Sequence, residues 1–127
     1  MNWDAFVAKA LTVPFQDLGR SWEGWDCWGL IVLARKAIFD LDTPDYIGQY
    51  DSVDDLGTVR RLFAADKHAW NCSQEPSYGA LALVYRRGVP LHVGIVGPTS
   101  RYMLHCEERL GTVQEPLRTM RVEGFYT

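Results

Sequence analysis

The feature that most constrains this chain is the run Cys27–Phe39, CWGLIVLARKAIF. Cys27, Leu30, Ile31, Ala34 and Ile38 recur at helical spacing and make one stripe, while Trp28, Val32 and Phe39 add apolar surface on other sides. A helix apolar on most sides has to be central and buried. Asp26 stands where an N-cap belongs, and Arg35 and Lys36 complement the dipole at the other end. Cys27 is therefore expected in the first turn of a buried helix, just after a loop rich in glycine and tryptophan.

The chain has 127 residues and a formal charge of −3. That length fits one domain over residues 1–127, and the charge offers no basic field for nucleic acid or anionic lipid. Three cysteines cannot all pair, and none forms a C-x-x-C, so neither a disulfide framework nor a zinc ribbon is expected. The opening residues MNWDAFVAKALTVPF lack a basic start, a long apolar core and a cleavage site, and read as no signal peptide. No apolar run approaches the ~20 residues a membrane span needs.

Asn2 can cap a short helix to Leu11 with Trp3, Phe6, Val7 and Ala10 on one face, and Pro14 ends it. Residues 15–26 read as a loop. Asp51 or Ser52 can cap a third helix that runs to about Trp70, with Leu56, Val59, Leu62 and Phe63 inward and Gly57 weakening it. After Gly79 the period changes: residues 80–86, 91–96, 102–108 and 111–117 read as strands. Helices followed by strands predict an α+β domain, its antiparallel sheet packed on the buried helix.

Two histidines fall in this strand region. A four-residue hairpin loop Gly97–Ser100 pairs Val96 with Arg101 and, further along, His92 with His105. Opposed residues project to one face with Cβ atoms roughly 4.5–5.5 Å apart. Gly94 between them leaves room over that face. His68 reads as a surface residue, and Cys72 and Cys106 as structural, Cys106 facing away from His105 by alternation. A thiol at a helix N-terminus gains thiolate character from the dipole. If the sheet packs on that helix, His92 serves as base, His105 orients it, and backbone N–H groups at the helix start hold an oxyanion. The same residues can also be packed core groups, or Cys27, His92 and His105 can ligate zinc.

The segments GWDCWGLIVLARK, GALALVYRRGVPLHVGIVG and YMLHC resemble the NlpC family of papain-like cysteine peptidases, which cut peptide bonds of bacterial peptidoglycan. The resemblance spans about Phe15 to Gln114. It implies a papain-like fold and matches Cys27 to the nucleophile, His92 to the base and His105 to the third polar residue, with no cofactor. Trp22, Trp25, Asp26 and Trp28, which flank Cys27, become candidates for the groove wall and oxyanion support. Trp28 within DCWGL and the preceding PFQDLGRSWEG look most like the branch found in phage tails. That implies peptidoglycan stem peptides as substrate, cut after D-glutamate, and tail-tip proteins as partners. It also implies a chain made in the cytoplasm and carried to the wall by the particle. The chain departs from the family at Phe15, where many members have an oxyanion-binding Tyr, and at Gly79-Ala80, where they have Gly-Asp. A catalytically silent tail-tip component is the alternative within the same resemblance.

Overall fold

The computed structural model describes residues 1–52 and 58–127. Helix α1 (Trp3–Ala10) is capped by Asn2, whose side chain accepts from the Ala5 N–H, and it buries Trp3, Phe6, Val7 and Ala10 as expected. The segment read as a loop contains a two-stranded ribbon, β1 (Arg20–Ser21) and β2 (Gly24–Trp25). Helix α2 (Cys27–Phe39) has the expected bounds and Asp26 as its N-cap. Helix α3 (Thr58–Ala65) turns Val59, Leu62 and Phe63 inward. It stops short of Trp70, and one 3₁₀ turn (Lys67–Ala69) follows. Asp66 marks the break: its carboxylate accepts from the Tyr46 hydroxyl and its carbonyl from Ala69 N–H. Leu56 and Gly57 lie outside the described residues.

Six strands follow: β3 (Cys72–Ser73), β4 (Leu81–Arg86), β5 (Val89–Val96), β6 (Tyr102–Glu107), β7 (Gly111–Pro116) and β8 (Val122–Tyr126). They form one antiparallel sheet in the order β3-β8-β4-β5-β6-β7. The α+β class and strands β4 to β7 match the sequence expectation; β8, which reaches back to pair with β4, and the edge strand β3 were not anticipated. Leu81, Leu83, Val93, Ile95, Leu104 and Cys106 pack with α1 and α2 in the main core. Ala80, Ala82, Val84, Val96, Met103 and Phe125 make a smaller cluster on the opposite face. Among the described residues no helix is long and apolar enough to cross a membrane.

The start of α2 is fixed by a buried charge. Asp26 is fully buried, and its carboxylate accepts from the N–H groups of Gly29 (2.8 Å) and Leu18 (3.0 Å), from Arg20 Nη1 (2.9 Å) and from the Tyr50 hydroxyl (2.6 Å). Gly29 is needed for a different reason. A Cβ there would lie 2.0 Å from the Gly19 carbonyl oxygen, so only glycine lets the loop press against the first turn. Removing one partner of a buried, hydrogen-bonded ion pair typically costs about 3–5 kcal/mol. Asp26→Ala is therefore expected to lower stability by about that amount, measured as a shift of the denaturant midpoint, whereas Ala substitution of the exposed Asp42 leaves it within about 0.5 kcal/mol.

Candidate active site

The site lies where β5 and β6 part. These strands pair at Val96↔Met103 and Ile95↔Leu104 and no further, while β5 stays paired with β4 down to Val89, across one bulge, and β6 with β7 down to Glu107. The expected register was offset by two. The hairpin is closed by Gly97 N–H bonding to the Tyr102 carbonyl, so its four-residue loop is Pro98–Arg101, with Ser100 in the left-handed region. Moving the loop by one residue shifts every partner by two. An even shift keeps side chains on their faces. His92 and His105 therefore share a face, as expected, but as diagonal rather than directly opposed neighbours. The space over Gly94 is not open, because His105 and Met103 fill it: a Cβ at 94 would meet Met103 Sδ at 2.7 Å and His105 Cβ at 3.1 Å.

A β-bulge opposite Val84–Tyr85 leaves Leu91 as the extra residue of β5. It breaks the alternation of the strand, which lets the consecutive residues Leu91 and His92 both line one cavity. That cavity, of about 180 Å³, is lined also by Cys27, Phe15, Arg86 and Cys106. The structure thus brings Cys27 and His92 to one space, although no hydrogen bond joins the thiol to the imidazole. Cys106, expected as a structural residue facing away from His105, lies on the helix side of the sheet beside Cys27, and its thiol donates to the Trp25 carbonyl (3.4 Å).

None of the four flanking candidates lines this cavity. Trp25 is buried against Phe6 and donates its indole N–H to Thr112 (2.8 Å), and Trp28 donates to the Pro44 carbonyl (2.7 Å) among Tyr46, Phe63 and Trp70. Trp22 packs on Phe6 and Trp25 under Lys9. Asp26 is consumed by the capping network. Their proximity to Cys27 in sequence says nothing of direction, and a helix start turns successive side chains to different sides.

His92 Nε2 lies 2.8 Å from His105 Nδ1, and His105 Nε2 lies 2.9 Å from Glu115 Oε1. A carboxylate only accepts, so His105 carries its proton on Nε2 and donates it to Glu115. Its Nδ1 then accepts from His92 Nε2–H, which leaves His92 Nδ1 as the bare, basic nitrogen. Glu115 fixes both tautomers across two rings. Sequence reasoning missed it; with the β6–β7 turn placed at Glu108–Leu110, alternation already puts Glu115 opposite Met103 and on the His105 face. Glu107 was missed as well. Its Oε1 lies 3.4 Å from His105 Nδ1 and 3.9 Å from His92 Nε2, and it accepts from Arg86 Nη2 at 2.6 Å. His92, His105 and Glu107 are the described residues whose ligand atoms gather closely enough to hold a metal ion; Cys27 is not among them.

Burial holds the His92 imidazole well below its usual pKa, and the nearby His105 and Arg86 add to the shift. Burial lowers His105 too, against the pull of Glu107 and Glu115. The Cys27 thiol is pushed far above the ordinary range, by burial first and then by the Asp26 carboxylate, with a backbone hydrogen bond from Val93 opposing. Cys106 rises to about 11, again through burial. With the thiol raised and the imidazole lowered, both groups favour their neutral forms near neutral pH.

No protein-family model and no curated protein matches this sequence. A solved structure does: the crystal structure of the NlpC/p60 domain of the peptidoglycan hydrolase SagA superposes with a TM-score of 0.66, covering 98% of this chain and 94% of that one at 13% identity. The fold is that of an NlpC/p60 domain. The helices packed on an antiparallel sheet belong to that fold. At such low identity the NlpC/p60 likeness carries the architecture, and the chemistry rests on the residues above.

A neutral resting thiol has a clear signature. Alkylation of Cys27 by iodoacetamide, followed by mass spectrometry of its peptide, is expected to be slow near neutral pH and to rise about tenfold per pH unit through the alkaline range. A rate that levels off below neutrality would instead reveal a thiolate–imidazolium pair.

Proposed function

We propose that this chain is a cysteine peptidase of bacterial peptidoglycan. The observation that supports this best is the joint lining of one cavity by Cys27 and by His92, the latter tied to His105 and through it to Glu115. In this reading His92 Nδ1 takes the thiol proton as Cys27 sulfur attacks a stem-peptide carbonyl, at the bond after D-glutamate. The imidazolium then gives that proton to the leaving amine, and water hydrolyses the thioester. His105 and Glu115 stabilise the charge that His92 gains. The N–H groups of Gly29 and Leu30 are taken by Asp26, so those of Cys27 and Trp28, unbonded among the described residues, are the donors for the oxyanion. The apo distance between thiol and base closes in the substrate complex.

The NlpC/p60 fold and a hydrolase neighbour point the same way as the motif match. Carriage in a phage tail, with tail-tip proteins as partners, rests on the resemblance of the DCWGL segment and its upstream loop. It is tested separately, by looking for the chain in purified particles.

Incubation with peptidoglycan and mass spectrometry of released fragments tests the peptidase. Stem peptides severed after D-glutamate are expected. Cys27→Ala and His92→Ala should each lose activity by about 10⁴-fold or more, and a chelator should not lower it. No fragments from the wild-type chain, free or in its particle, would favour the silent structural component. Glu115→Gln should lower kcat by about 10- to 100-fold with little change in KM, because the tautomer chain is lost while the substrate groove is untouched. Phe15→Tyr places a hydroxyl in the cavity beside Cys27 and is expected to raise kcat by up to about tenfold.

A further inference from the structure

The three atoms His92 Nε2, His105 Nδ1 and a Glu107 carboxylate oxygen form a triangle with sides of 2.8, 3.4 and 3.9 Å. A tetrahedral zinc ion with bonds near 2.0–2.1 Å sets its ligands roughly 3.3 Å apart. Slight rotation of these side chains turns the triangle into one face of a coordination tetrahedron. We propose that a zinc-type divalent cation binds reversibly to His92, His105 and Glu107 and in doing so switches off the base.

Two independent features favour this site. His105 already donates its other ring nitrogen to Glu115, the carboxylate–histidine arrangement that orients metal-binding imidazoles and fixes their lone pairs. The cavity lined by His92 and Glu107 gives an ion a way in. One feature opposes it. The Arg86 guanidinium holds Glu107 and puts a positive charge where the ion would sit. Arg86 must swing away or share the carboxylate through its second oxygen, so the site is built for reversible occupancy rather than for a resident cofactor.

The inhibitory effect rests on the peptidase reading; the binding does not. Coordination needs the His92 Nε2 lone pair, so the His92 proton moves to Nδ1. That is the nitrogen required to receive the thiol proton. The ion thereby removes the base without touching Cys27. This separates it from simple poisoning of a thiol, in which the sulfur is itself a ligand.

The test uses the full chain carrying Cys72→Ser, which removes the exposed thiol. Zinc is titrated calorimetrically at neutral pH into this chain and into the same chain with Cys27→Ala, and cobalt(II) absorption reports the ligand set. One ion per chain is expected, with affinity unchanged by Cys27→Ala and with ligand-field bands but no sulfur-to-cobalt charge-transfer band. Glu107→Gln, a substitution of similar shape at a partly exposed position, should weaken binding at least about tenfold, and Arg86→Gln should tighten it. Loss of binding on Cys27→Ala, a sulfur-to-cobalt band, or no stoichiometric binding at all would overturn the proposal. Because binding is read in a chain without its nucleophile, this failure is distinct from a failure to cleave peptidoglycan.

Discussion

One carboxylate holds the start of α2, and with it the candidate site, together. Asp26 accepts four hydrogen bonds, from the first turn of α2, from the preceding loop, from Arg20 and from Tyr50. A charge with no exposure is tolerable only when its lone pairs are met, and here they are met by groups drawn from three separate stretches of chain. Arg20 extends the network by donating also to the Asp45 carbonyl. The position of Cys27 follows from this anchoring, because the residue after the cap has little freedom left.

The same charge has a chemical consequence. It stands beside the thiol and, with burial, favours the protonated form. The scaffold therefore does not store a thiolate. It supplies a base whose tautomer is set at a distance: Glu115 orders His105, and His105 orders His92. In the proposed reading, activation rests on the imidazole, and His105 and Glu115 act on that base rather than on the substrate.

The sheet contributes by failing to stay paired. Past Ile95 and Leu104 strands β5 and β6 diverge, and the bulge at Leu91 turns a second consecutive side chain into the gap. Gly94 permits the close crossing that sets His105 against β5. Polar groups gather at this parting, two histidines with Arg86, Glu107 and Glu115, because the pairing that would bury an apolar ladder is absent there.

The sequence by itself determined the parts with local causes. The apolar run 27–39 dictated a buried helix, Asp26 its cap, and the change of period after Gly79 the strands. The common face of His92 and His105 was legible too, since parity survives a two-residue register error. Tertiary structure decided what depends on direction or on distant pairing. Strand β8 takes its place in the sheet from β4, some forty residues away, and nothing local signals this. The tryptophans around Cys27 turned inward because core packing, not adjacency, sets where a side chain points. Glu107 and Arg86 came together with His92 only when β4, β5 and β6 were aligned side by side. The thiol's protonation was settled by burial, a quantity that exists only once the chain has folded around it.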